Sequence, residues 1–144
     1  MEIISPIHGE MTYEEKDIIN FKKGIPGFDE LNKFIIKEIE DSSFKVLQSI
    51  DDAELGFVLI SPFDVELDYE IKLNSEIRKN LDIKNEREVA LYSLVTLNSK
   101  VENITANLRA PLVINIISKK GEQCIIEKEE YKIKHPIVKG WCKC

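Results

Sequence analysis

Phe44-Lys45-Val46-Leu47-Gln48-Ser49-Ile50-Asp51-Asp52-Ala53-Glu54-Leu55-Gly56-Phe57-Val58-Leu59-Ile60-Ser61 holds two apolar runs separated by an acidic break. Each run is too short for a helix and rich in Val, Ile and Phe, which favour the pleated backbone. Asp51-Asp52 supplies side chains that bond their own backbone and turn the chain. The stretch therefore reads as two strands, Phe44 to Ser49 and Gly56 to Ser61, folded back on each other.

The same pattern continues on both sides. Period-two alternation or short apolar runs mark strands at Met11 to Tyr13, Ile18 to Phe21, Lys33 to Ile39, Val65 to Leu73, Val89 to Leu97, Ile104 to Leu108, Leu112 to Ile117 and Gln123 to Glu127. His8-Gly9, Lys23-Gly24, Pro26-Gly27, Ser61-Pro62, Ala110-Pro111 and Lys120-Gly121 provide turn chemistry between them. Asn74 to Leu81 differs: Ile77 and Leu81 lie four apart behind an Asn or Ser cap, so this segment reads as a two-turn helix. A mainly β domain follows, an antiparallel barrel or sandwich with one short helix. It spans residues 1–133, and 134–144, where alternation stops, reads as a flexible tail.

The chain has 144 residues, a length that buries one substantial core without disulfide or metal staples. Its 26 Asp+Glu against 20 Lys+Arg give a net charge of -6, the wrong sign for direct binding of nucleic acid. That charge suits a basic partner instead. The first residues show neither a basic nor an apolar leader region, and no apolar stretch approaches a membrane span, so the expectation is a cytoplasmic protein. Cys124, Cys142 and Cys144 make an odd set without framework spacing and are expected to be reduced.

The sharpest local pattern is Asp64-Val65-Glu66-Leu67-Asp68-Tyr69-Glu70-Ile71, in which acidic and apolar residues alternate throughout. On a strand the carboxylates of Asp64, Glu66, Asp68 and Glu70 share one face, about 6.5–7 Å apart. Two readings fit: the solvated side of a half-buried strand, or a docking stripe for a basic surface. Carboxylates along one strand diverge, so neither a calcium cage nor an acid–base pair follows. His8 and His135 sit in a turn and before a proline, away from any nucleophile pattern, and no catalytic residue is assigned. Cys142-Lys143-Cys144 with His135 lacks the paired spacing of a zinc site, so neither metal nor cofactor is expected. Lys22-Lys23-Gly24-Ile25-Pro26-Gly27-Phe28 has no phosphate-loop order and reads as a rigid loop. In Thr105-Ala106-Asn107-Leu108-Arg109-Ala110-Pro111, Thr105 and Asn107 bond either neighbouring backbone or a partner.

Taken in order, several of these stretches resemble the bacterial flagellar assembly factor FliW family. They are Ile19-Asn20-Phe21 before Gly24-Ile25-Pro26-Gly27-Phe28, Phe44 to Ser49, Leu55-Gly56-Phe57-Val58 with Ser61-Pro62, Thr105 to Asn115, and Gln123. Lys22-Lys23 departs from that pattern where a proline step is expected, and the Cys142-Lys143-Cys144 end has no counterpart. The resemblance implies an antiparallel β-barrel-like fold and a non-enzymatic regulator. It implies binding to the carbon storage regulator CsrA, which relieves repression of flagellin synthesis, and to flagellin itself in a partner-switching circuit. Partner contacts are then expected at Asp64, Glu66, Asp68, Tyr69 and Glu70, and at Thr105, Asn107 and Phe28. The competing classes are a ligand-binding or enzymatic barrel, which needs a cavity with converging polar groups, and a direct RNA binder, which needs a basic face.

Overall fold

The computed structural model describes all residues except 1, 6–8, 26–27, 29, 40, 98, 127–129 and 138–144, with backbone alone at 2–5, 9–10 and 101. In chain order the strands are β1 (Glu2–Ser5), β2 (Gly9–Thr12), β3 (Ile19–Asn20), β4 (Lys33–Glu38), β5 (Lys45–Ser49), β6 (Gly56–Ile60), β7 (Val89–Thr96), β8 (Thr105–Ala106), β9 (Leu112–Asn115), β10 (Lys120–Gln123) and β11 (His135–Pro136). Two short helices, α1 (Pro62–Val65) and α2 (Ser75–Asn80), lie between β6 and β7.

Hydrogen bonding runs β7-β6-β5-β4-β3-β10-β9, and β9 pairs back onto β7, so seven strands close into a barrel. Closure leaves no free edge within that ring. The pairs are antiparallel except β3 with β10, which meet in parallel at Asn20 and Lys120. β8 and β11 extend the sheet from β7, and β1–β2 is a separate hairpin.

The interior holds Ile19, Phe21, Phe34, Leu47, Leu59, Leu112 and Ile114. Alternate residues of the same strands point outward and are covered as well. Ile35 and Val46 pack beneath Met11 of β2. Val113 packs beneath Ile77 and Leu81 of α2. Burial on both faces is why β5 and β9 read as continuous apolar runs rather than clean alternation. Each such side chain contributes roughly 1.5–3 kcal/mol through burial.

Polar side chains fix the turns. Gln48, almost wholly buried, points its Nε2 at the carbonyls of Ser49 (3.0 Å) and Leu55 (2.9 Å). The Ser49 Oγ accepts from the amides of Asp51 and Asp52, so the acidic break is the turn its composition implies. Asn74 caps α2 by accepting from the Ile77 amide at 2.8 Å, placing the predicted helix correctly.

Several expectations need correction. Val65 to Leu73 does not form a strand: Ser61 accepts from the Phe63 amide, Pro62 takes the first helical position, and α1 begins there. The strand expected at Gln123 to Glu127 lies earlier, at Lys120–Gln123, because the turn is made by residues 116–119, with Lys119 at φ 58°, and not by Lys120-Gly121. The supposed tail is in part structural. β11 pairs with Thr105 and Ala106, and Ile137 is buried against Ile60 and Ala106. The His8-Gly9 and Pro26-Gly27 turns fall wholly or partly outside the described residues, as do Cys142 and Cys144. Cys124 is a free, buried thiol, and burial together with Glu122 pushes its pKa up.

One surface pair sets an acid response. Lys120 Nζ lies 2.6 Å from Asp82 Oδ2, and this hydrogen bond, reinforced by the lysine charges, holds the Asp82 carboxyl below its ordinary range. A lowered folded-state pKa stabilises above the unfolded value and is lost as pH falls through the folded value. Because the pair is exposed its effect is small. Asp82→Asn is expected to lower the thermal midpoint slightly at pH 7 and not at all once the carboxyl is protonated, measured by thermal melts across acid pH.

Candidate functional site

The segment from Ser61 to Glu70 is a knuckle at the far end of β6. After α1, the Glu66 amide bonds the Pro62 carbonyl at 2.9 Å, and the Tyr69 amide bonds the Glu66 carbonyl at 3.0 Å. The Glu66 Oε1 accepts from the Asp68 amide at 3.3 Å. These bonds close the loop on itself and leave Leu67 89% exposed, while Phe63 of α1 is 44% exposed. Asp64, Asp68 and Glu70 are exposed and Glu66 is half-buried. Three of the carboxylates are thus exposed on the same loop as Leu67, whereas a strand would have turned Leu67 inward.

Tyr69 anchors the knuckle. Only 3% exposed, it donates its hydroxyl to the Leu108 carbonyl at 2.7 Å. Its ring lies 4.6 Å from that of Tyr131 and 5.8 Å from that of Phe63. The Tyr131 hydroxyl accepts from the Glu70 amide (2.9 Å) and donates to the Glu70 carbonyl (3.1 Å). Burial, with Tyr131 and Cys124 nearby, pushes the Tyr69 phenol above its ordinary pKa, so it stays protonated as a donor. Tyr69 is thus a fastener and not an exposed contact.

The same anchor brings the second predicted group alongside. Asn107 accepts on Oδ1 from the amides of Arg109 and Ala110, both at 3.0 Å, which turns the chain before β9. Thr105 lies half-buried in β8, between β7 and β11. Asn107 therefore shapes the turn that carries the Leu108 carbonyl bonded by Tyr69. Phe28 is elsewhere: 41% exposed, it stacks edge-on against Phe57 at 5.7 Å. Phe57 and Ser61 are separated by roughly 13 Å of strand, so Phe28 and the knuckle mark opposite ends of β6. The knuckle was readable from Ser61-Pro62, a cap followed by a first-turn proline, a signal weaker than the alternation after it.

Beside the knuckle, Phe63, Ile71, Leu73, Ile83 and Leu91 line a groove of about 490 Å³ running to α2. A mouth of the barrel between Ile19, Ile36, Tyr92 and Ile114 holds only about 230 Å³, below the ~300 Å³ at which ligand pockets begin. The barrel interior is occupied by packed apolar side chains. Among the described residues no three His, Cys, Asp or Glu side chains converge as metal ligands, and no helix is long and apolar enough to cross a membrane.

Fold and site together define a small closed β-barrel with a filled core and an acid-fringed apolar knuckle. The chain belongs to the FliW family: the family model described as FliW protein matches residues 2–137. A flagellar assembly factor FliW of Clostridium botulinum (strain Okra / Type B1) is 51% identical over 140 residues, covering 96% of this chain and 98% of that protein. The Clostridium tetani (strain Massachusetts / E88) flagellar assembly factor FliW is 51% identical over 145 residues, with full coverage of both. A crystal structure of the flagellar assembly factor FliW superposes with a TM-score of 0.89 at 41% identity, covering 95% of this chain and 96% of that one.

Proposed function

We propose that this protein is a non-enzymatic factor in flagellar assembly that works in the cytoplasm by binding the translational regulator CsrA and relieving its repression of flagellin synthesis. Flagellin is the second partner, and its occupancy of the protein leaves CsrA free to repress. The family relationship supports the flagellar role. The observation that carries the CsrA reading is the knuckle, where an exposed Leu67 stands among the carboxylates of Asp64, Asp68 and Glu70 on a loop held by Tyr69. An RNA-binding protein presents a basic surface, which such a patch attracts while repelling RNA. The apolar tip contributes contact area that charge alone does not.

Asp64 and Asp68 are the residues to reverse, since both are exposed and neither carboxylate holds the loop's backbone. Asp64→Lys with Asp68→Lys is expected to weaken CsrA binding about tenfold at low salt and progressively less as salt screens the charges. The thermal midpoint should not move. Unchanged affinity at low salt, read by calorimetry, removes the knuckle from the interface. Co-purification with CsrA and with flagellin, followed by competition between them, tests the circuit itself, and failure to bind either defeats it.

A further inference from the structure

The chain is acidic overall, yet an open cleft of about 810 Å³ between β3, β10 and the end of α2 gathers Lys22, Lys23, Lys79 and Lys120. Their presentation is rigid. Lys22 and Lys23 occupy the corners of a turn closed by the Gly24 amide on the Phe21 carbonyl at 2.8 Å. The Asn32 Nδ2 donates to the Phe21 and Lys22 carbonyls at 2.8 and 3.2 Å, and Gly24 adopts φ 69°, a conformation that a side chain would strain. Asn80 Nδ2 donates to Glu122 Oε1 at 3.3 Å, tying the end of α2 to β10.

Charge pairing inside the cleft is incomplete. Glu122, the one carboxylate lining it, lies 3.6 Å from Lys23, Glu76 of α2 lies 3.9 Å from the same lysine, and Lys120 is committed to Asp82. Lys22 and Lys79 are exposed and form no ion pair among the described residues. Two lysines that form no ion pair among the described residues therefore line one opening on a chain whose net charge is negative.

We infer that this cleft docks a carboxylate-bearing segment of a partner protein, on a surface separate from the acidic knuckle. Two free charges suit spaced carboxylates. The side chains of Asn20 and Asn80 add groups that bond a peptide backbone. The inference stands apart from the CsrA reading, because it concerns a partner of opposite charge.

The test uses the full chain and a fluorescein-labelled peptide in which Glu at every third position is separated by Ser and Gly, with binding followed by anisotropy at low salt. Lys22→Glu with Lys79→Glu is expected to weaken binding by about tenfold or more. Lys132→Glu with Lys134→Glu, which changes the net charge equally at exposed positions that do not line the cleft, should have a much smaller effect. Inorganic phosphate at the peptide's concentration should not displace it. Lys22→Gln with Lys79→Gln provides a milder pair and is expected to give a smaller loss in the same direction. The inference is overturned if the wild-type chain does not bind the peptide, if both Glu pairs lose equally, or if phosphate displaces the peptide.

Discussion

Gly121→Ala is expected to lower the thermal midpoint by roughly 3–9 °C, and Gly121→Val by more. A Cβ at position 121 would lie 2.6 Å from Phe21 Cε2 and 2.7 Å from Cζ. Neither side has room to give. Phe21 is fully buried and packs edge-on against Phe34 at 5.6 Å, while Gly121 is held in the β9–β10 ladder opposite Ile114. Forcing a methyl into such a core costs about 1–3 kcal/mol, and at about 3 °C per kcal/mol for a chain of this size the shift is easily measured. The cause is separable from any conformational preference of glycine. Phe21→Leu frees space at the same point, so combining it with Gly121→Ala should cost less than the two changes added separately, by about 1–2 kcal/mol. Strict additivity in chemical denaturation would show that the ring does not impose the glycine.

Gly121 also shows where sequence reading reaches its limit. Lys120-Gly121 looks like a turn, because Gly next to a polar residue usually is one. Here the glycine sits within a strand and its missing side chain makes room for Phe21, a residue one hundred positions earlier, and no local pattern carries that fact. The strands Lys33–Glu38, Lys45–Ser49, Gly56–Ile60, Val89–Thr96 and Leu112–Asn115 were legible because both of their faces are buried and their apolar content is correspondingly high. His135–Pro136 was not, since two residues have no period and a proline argues against a strand. In Asp64 to Ile71 the alternation is genuine, but a pinned loop produces it: Tyr69 turns in toward Leu108 while Leu67 turns out. The residues of the knuckle were thus read with the wrong geometry, a strand in place of a pinned loop. The basic cleft was invisible for another reason. Its lysines come from three separated segments, and a net charge of -6 sums over them.

Asn115→Ala is expected to be the most damaging polar substitution in the barrel, costing about 3–4 kcal/mol, or roughly 10 °C in thermal midpoint. Asn115 is fully buried at the end of β9 and uses both ends of its amide. Its Nδ2 donates to the Leu81 carbonyl at 2.8 Å and the Asp82 carbonyl at 3.2 Å, with Glu88 Oε2 at 3.3 Å, which fastens the residues following α2 to the barrel. Its Oδ1 accepts from the amides of Ile117 and Ser118, at 2.9 and 3.2 Å, and so shapes the β9–β10 turn. Alanine removes every one of these bonds and leaves the Asp82 carbonyl without its side-chain donor; water can reach the turn but not all of the buried groups. Asn115→Asp separates the two roles. The acceptor for the turn remains, but the donor is lost, and a carboxylate would face the Leu81 carbonyl and Glu88. Burial beside those oxygens raises that carboxyl's folded-state pKa, so the protonated form, which regains a donor, is favoured. With a raised folded pKa, stability is fully present below the unfolded value and is lost as pH rises through the folded value. The deficit of Asn115→Asp relative to the wild-type chain should therefore widen from acid toward neutral pH, while that of Asn115→Ala stays level. Urea melts of both variants across that range decide it, and parallel pH profiles would mean that the Nδ2 bonds do not hold α2 in place.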